Sequence, residues 1–241
     1  MEQEDIFARF VGSQVFIAEF VRRVAIVFQL PMGLQSLLFV GVGETMKNKN
    51  VLSPHLILVD SLDNPIGEEE VIIAHLGEGK RHRAISVFLY NKKGNLLLQQ
   101  RSKEKMVGAL QWANTCCGNV RVGETTTECA LRRLKEELGI TDVKITPLYK
   151  FEYHISCNEK FSEWEIDQVF VGRYDRAPKP NPHEVEQVDW KSSAKIRDEI
   201  RENATIYTPW FRLMMQDKRI TAYDQFRKIH KNNKKEDICD R

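Results

Sequence analysis

Three groups of residues in this chain have types and spacings that suit chemistry. Arg133 and Glu137 stand about one helical turn apart in the run 114–140, NTCCGNVRVGETTTECALRRLKEELGI, so the two can project toward one site. A carboxylate holds a hard cation through oxygen and a guanidinium grips phosphate in a fork, which together suit a metal-bound diphosphate. On a plain surface helix the same spacing gives only charge pairs. Glu163 and Glu165, at i and i+2 of a strand, share a face and leave Trp164 on the other. Two such carboxylates repel unless a cation or a proton lies between them, or the face is open to solvent. Cys116 and Cys117 offer thiols, although free cysteine is also a common small core residue. His75 and His82 bracket a Gly-containing loop, and Arg101 and Lys105 add positive charge ahead of the cysteines. Taken alone, Tyr153 and Trp210 are core aromatics, RSKEK at 101–105 is a solvated turn, and the two histidines are surface residues.

The elements that must position these residues follow from pattern. Residues 56–60 (LILVD) form a strand closed by a turn at 61–65. Residues 84–90 and 96–100 flank NKKGN and predict a hairpin with Gly94 at the turn. Residues 112–116 predict a strand that delivers the cysteine pair to a loop, with Gly118 and Gly123 permitting tight turns. The helix that follows has Thr125 or Thr126 as its cap, with Glu128 in capping-box spacing for the former, and Gly139 to end it. Its buried stripe is expected at Ala130, Leu131, Leu134 and Leu138. Residues 143–154 and 164–174 predict two longer strands, 178–182 an extended connector, 185–190 a short strand, and 192 to about 229 helices. The fold class is α+β: an α/β/α sandwich whose mixed sheet carries the site.

The spacing across 118–140 is specific. Gly118, five residues, Glu124, seven residues, Arg132, then Leu134, Glu136, Glu137, Gly139 and Ile140 resemble the Nudix box in all but one position. There, hydrolytic members have a metal-binding glutamate and this chain has Arg133. Paired arginines at that point, with a cysteine ahead of the box, resemble the type 1 isopentenyl diphosphate isomerases over residues 57–215. The resemblance implies that Cys117, Glu165, Tyr153 and Trp210 are catalytic. It gives Arg101, Lys105 and Arg133 to the diphosphate. It makes His75, His82, Glu163 and Glu165 metal ligands and Glu137 the residue that bridges magnesium. The expected cofactor is Mg2+ or Mn2+, with a second divalent ion such as Zn2+ at the His/Glu group. Three positions depart from the family: Asn119 and Val120 stand where it has a third metal histidine and a proline, and Val71 where it commonly has a lysine. The implied activity interconverts isopentenyl and dimethylallyl diphosphates, supplying isoprenoid synthesis. The alternatives are a Nudix hydrolase of a nucleoside or prenyl diphosphate, and a catalytically impaired diphosphate-binding homologue.

Composition narrows the class. A net charge of +2, from 36 basic and 34 acidic residues, lacks a polyanion-binding signature, so the expected partner is a small diphosphate and not nucleic acid. Five cysteines, two of them adjacent and none in a CxxC pair, do not suit a disulfide framework or a structural zinc site; a cytoplasmic location is expected. An uncharged run at 24–43 is interrupted by Gln29, Pro31, Gly33, Gln35 and Ser36, which disfavours a membrane span. Three segments are expected: an N-terminal extension at 1–50, for which Met46 is an alternative start, a domain at 51–220, and a C-terminal helix and polar tail at 221–241. A monomer or weak homodimer is expected.

Overall fold

The computed structural model describes residues 54–227. The expected extension at 1–50, the alternative start and the tail beyond 227 lie outside the described residues. In chain order the elements are β1 (His55–Val59), β2 (Pro65–Glu70), α1 (Val71–His75), β3 (His82–Tyr90), β4 (Leu96–Arg101), β5 (Trp112–Ala113), β6 (Cys116–Asn119), α2 (Thr126–Leu138), β7 (Ile145–Ser156), β8 (Ser162–Arg173), β9 (Val185–Lys191), α3 (Ser193–Glu202) and α4 (Pro209–Gln216). A 3-10 turn at Ala204–Ile206 joins the last two helices, and residues 218–227 are helical.

The strands form one mixed sheet organised on β3. That strand pairs antiparallel with β6 and parallel with β8 along its whole length, and β7 lies antiparallel on the far side of β8. Alternation along β3 feeds two cores. Ile85, Val87 and Leu89 join Cys116, Cys129, Ala130, Leu134 and Leu138 under α2, while Phe88 and Tyr90 join Tyr153, Trp210, Phe211 and Met214 under the C-terminal helices. These are the two outer layers of the expected sandwich. Each fully buried aliphatic or aromatic side chain contributes roughly 1.5–3 kcal/mol.

Helix α2 begins as its sequence dictates. Thr125 is the cap: its Oγ1 accepts from the Glu128 amide at 3.2 Å while Glu128 Oε2 accepts from the Thr125 amide at 2.8 Å. Gly139 ends it at φ 64°, where a side chain would strain the backbone. The inward face carries Cys129, Ala130, Leu134, Glu137 and Leu138, while Leu131 is 38% exposed. The expected stripe therefore fails at Leu131, which lies at the outer edge of the buried arc, 100° round the helix from Ala130 and on the side away from Cys129 and Glu137.

Three other expectations are corrected. The 84–90 and 96–100 arms do not run as a ladder: β3 and β4 pair only at Tyr90 and Leu96 and then splay, β4 leaving to pair with β9. Thr115 fills the gap, its Oγ1 accepting from the Leu89 amide and donating to Leu97 O. For the same reason the expected strand at 112–116 breaks into β5 and β6 around Asn114 and Thr115. Gly118 is not at a turn but inside β6; a Cβ there would stand 2.5 Å from Arg133 Cγ, so the residue is small to let that side chain cross the strand. The short strand β2 and the single-turn helix α1 carry no periodic signal and were not foreseen.

Candidate active site

Strand alternation separates the two cysteines. Cys116 is fully buried in the α2 core, and Cys117, one residue on, faces a cavity of about 270 Å³ on the other side of β6. The Cys117 thiol donates to Asn114 Oδ1 at 3.1 Å and lies 3.4 Å from Ser86 Oγ, its cross-strand neighbour on β3. Ser86 Oγ in turn donates to Asp167 Oδ2 at 2.7 Å. Burial, reinforced by the Asp167 carboxylate, pushes the Cys117 thiol up to about 12, so it is a neutral thiol and not a thiolate at physiological pH.

On the other flank of β3, Glu163 and Glu165 share one face of β8, with Trp164 turned away against Arg81 and His154. Tyr153, opposite Glu165 in the β7–β8 register, donates its hydroxyl to Glu165 Oε2. Burial raises Glu165 well above the ordinary carboxylate range, and the neighbouring Glu163 charge adds to it. Glu163 moves the opposite way: burial would raise it, but the His75 imidazole holds it down near 2. Asp167, two residues further along, is raised to about 7, chiefly by burial.

His75 ends α1 and His82 opens β3, and the loop between them folds back so that the rings meet edge to face, centroids 4.7 Å apart. One atom each from His75, His82, Glu163 and Glu165 fall within 4.8 Å of one another. His75 Nδ1 donates to Val71 O at 2.6 Å and His82 Nδ1 to Lys80 O at 2.7 Å, which turns both Nε2 atoms toward the carboxylates. His82 Nε2 is fully buried with no hydrogen-bond partner, 3.6 Å from Glu165 Oε1. Burial, aided by the His75 charge, lowers His82 to about 4, so its lone pair is free of a proton at neutral pH. An orphaned imidazole nitrogen facing two carboxylates fits a divalent cation. Asn119 is at the rim of this group, its Nδ2 3.3 Å from His75 Nε2.

The same cavity is lined by Arg101, Lys105, Arg133, Glu137, Tyr153, Glu163, Glu165 and Trp210, so every residue that the family resemblance gives a role, except the two histidines, borders it, and these stand directly behind Glu163 and Glu165. Trp210 is 3% exposed and has the Arg101 guanidinium over its ring at 5.2 Å. Arg133 donates to Glu137 and, at 3.1 Å, to Glu184; Lys105 pairs with Glu184 and lies 3.7 Å from Glu137. Gln99 Nε2 donates to Glu137 Oε2 at 2.7 Å. The expected convergence of Arg133 and Glu137 thus holds. The other acids of the box are committed to arginine: Glu124 takes two bonds from Arg132, and Glu136 is bonded by both Arg132 and Arg133.

Ser86, Asn114, Asp167, Gln99 and Glu184 were not foreseen. Only Asp167 had a signal, since it extends the i, i+2 alternation of Glu163 and Glu165 by one step. Ser86, Gln99 and Glu184 reach the site through pairings between distant segments, and Asn114 through the break in the strand three residues before Cys117.

A family model for the NUDIX domain matches residues 80–211. The isopentenyl-diphosphate Delta-isomerase 2 of Photorhabdus laumondii is 42% identical over 157 residues, which cover 65% of this chain and 88% of that enzyme. The chain belongs to the isopentenyl-diphosphate Delta-isomerase family. The family member of Halorhodospira halophila is 37% identical over 171 residues, 70% of this chain and 97% of that enzyme. The crystal structure of the Deinococcus radiodurans protein DR0079 shares the NUDIX fold, with a TM-score of 0.52 and 24% identity over 62% of this chain and 90% of its own. Among the described residues no helix of this isomerase-family chain is long and apolar enough to cross a membrane.

Proposed function

We propose that this chain interconverts isopentenyl and dimethylallyl diphosphates by adding a proton at one end of the allylic unit and removing one at the other. The observation that carries this reading is that the Cys117 thiol and the Glu165–Tyr153 pair, held on strands flanking β3, border a single cavity that also presents Trp210 and three cations.

The proton balance closes on these groups. One donates a proton to a terminal carbon of the double-bond unit, leaving a tertiary carbocation; the other accepts the proton lost when the new double bond forms, and no electron acceptor is needed. Direction decides which group gives and which takes. Asn114 and Ser86 aim the thiol, and Tyr153 orients the proton of Glu165. The face of Trp210 steadies the cation by cation–π attraction, and its burial keeps away the water that would trap that cation as an alcohol. Arg101, Lys105 and Arg133 hold the diphosphate.

His75, His82, Glu163 and Glu165 would hold one divalent ion, with Asn119 at its rim, and Glu137 a second ion, Mg2+ or Mn2+, against the diphosphate. Bound there, metal supplies positive charge that keeps carboxylates ionised and screens the substrate. The hydrolase reading is disfavoured because Arg133 stands where hydrolytic members have a metal-binding glutamate, and it and Arg132 are bonded to Glu136. A small diphosphate as substrate, with no nucleic acid, is supported by the nearly balanced charge of +2 and the size of the cavity. A reducing, cytoplasmic setting is supported by four free cysteines among the described residues.

The test is isopentenyl diphosphate with Mg2+ or Mn2+ in heavy water, followed by NMR. Dimethylallyl diphosphate carrying solvent deuterium is the expected product. Release of phosphate or a monophosphate, or turnover surviving in Cys117→Ala or Glu165→Gln, overturns the reading.

A further inference from the structure

Five basic residues line the cavity: Arg101, Lys105, Arg121, Arg132 and Arg133. Four of them are committed. Arg101 donates to Val107 O at 3.0 Å and lies over Trp210. Lys105 and Arg133 share Glu184 and Glu137, and Arg132 is bonded by Glu124 and Glu136. Lys105, Arg133, Glu137 and Glu184 form a closed group of two positive and two negative charges. It fixes the positions of the cations but leaves little net field for a ligand that brings several negative charges.

Arg121 differs. Its backbone is fixed: the amide donates to Glu124 Oε2 at 3.1 Å, the carbonyl accepts from the Glu124 amide at 3.0 Å, and the residue bridges to Leu56 of β1. Its guanidinium has no hydrogen bond, ion pair or ring contact among the described residues, yet it borders the cavity. Leu56, bridged to Arg121, and Pro54 and Val71 line the same cavity, and no carboxylate is paired with the Arg121 guanidinium among the described residues. An uncommitted guanidinium on a rigid backbone, at a cavity where Lys105, Arg132 and Arg133 are paired with carboxylates and Arg101 is engaged by a carbonyl and the Trp210 ring, suits phosphate.

We propose that Arg121 binds the diphosphate, supplying unpaired positive charge that Lys105, Arg132 and Arg133, held by carboxylates, do not. The assignment rests on the reading of this cavity as a diphosphate site. Because Val71 borders the same cavity, a cation placed there should serve the same ligand. That gives a test in which charge is moved rather than merely removed.

Binding of inorganic pyrophosphate with Mg2+, measured by titration calorimetry, and the kinetics with isopentenyl diphosphate are compared in three proteins: wild type, Arg121→Gln, and Arg121→Gln combined with Val71→Lys. The expected result is a Kd for pyrophosphate and a KM each raised about tenfold in Arg121→Gln, with a much smaller change in kcat, and recovery of most of that loss in the double variant. A purely structural role for Arg121 would not be rescued from position 71, and thermal melts of the three proteins check that each is folded. Pyrophosphate affinity and KM within twofold of wild type in Arg121→Gln overturn the proposal, as does a folded double variant that recovers nothing. Wild-type protein that binds pyrophosphate through Arg121 and yet does not isomerise removes the isomerase reading and upholds this assignment. Turnover with a KM indifferent to Arg121 does the reverse.

Discussion

Gly118 and Arg133 are matched: the glycine on β6 has no side chain because the aliphatic stem of the arginine on α2 lies across it, and a Cβ would come within 2.5 Å of Arg133 Cγ and 3.2 Å of its Nε. The helix supplies the charge and the strand supplies the room. Gly118→Ala should therefore push the guanidinium away from Glu137 and Glu184. The expected cost is about 1–3 kcal/mol of stability, as for other overpacked sites. KM should rise more than kcat falls, and steady-state kinetics beside a denaturant melt would show both. Unchanged KM would mean that Arg133 has another rotamer that serves equally well.

The cysteine pair gives opposite results on stability and activity. Cys116→Ala removes a fully buried thiol from the α2 core and should cost roughly 1 kcal/mol while turnover persists. Cys117→Ala should leave stability nearly unchanged and abolish turnover. Paired melts and assays check this, and loss of activity in the first variant with retention in the second would reverse the assignment of the two sulfurs.

Asn119 is 3.3 Å from His75 Nε2 at the rim of the histidine–carboxylate group. An imidazole there would add a nitrogen ligand to a set of two histidines and two carboxylates, and nitrogen favours Zn2+ over Mg2+. Asn119→His should bind Zn2+ at least tenfold more tightly, roughly 1.4 kcal/mol, with little gain for Mg2+; competition against a chromogenic chelator measures this without any assay of turnover. Equal Zn2+ affinity in the two proteins would show that position 119 lies outside the coordination sphere.

Asp167 predicts a pH dependence. In the unfolded chain it ionises near its ordinary 3.8, while in the fold burial holds its proton until about 7. Between those values the folded state binds more protons, so this group makes stability fall as pH rises through the interval. In metal-free protein, Asp167→Asn should flatten that decline, with a gain of up to roughly 4 kcal/mol at pH 8 relative to pH 4. Urea melts in the presence of a chelator, at several pH values, would test it; an identical slope in both proteins would show that Asp167 ionises freely in the fold.

What the sequence disclosed followed the range of the interactions. Helix α2, its Thr125–Glu128 capping box, the Gly139 terminus and the shared face of Glu163 and Glu165 are set by neighbours within four residues, and all were legible. Leu131 is half-exposed because the buried arc is centred on Ala130, Leu134 and Glu137, a centring set by the packing of the helix on the sheet and not by its hydrophobic residues alone. The splaying of β3 from β4 could not be read, since it depends on Thr115 bonding to both strands and on β8 taking one side of β3. Ser86 and Glu184 reach the site by long-range pairing and are hidden for the same reason, whereas Asn114 acts on Cys117 across three residues, from the break between β5 and β6. Whether Cys116 or Cys117 faced the cavity required only strand alternation, once the strand itself was known.

The parallel pairing of β3 with β8 joins His82 to Glu165 and Tyr90 to Arg173, segments more than eighty positions apart. Loop closure over that distance must precede any gain from the contact, so this pairing belongs to the slow, non-local part of folding. Two of the metal-ligand candidates, His82 and Glu165, sit on that junction. A nascent or partly unfolded chain therefore holds its histidines apart from its carboxylates. Metal affinity then becomes a reporter of completed folding: refolding followed by Mn2+ uptake should keep pace with burial of Trp210 rather than run ahead of it.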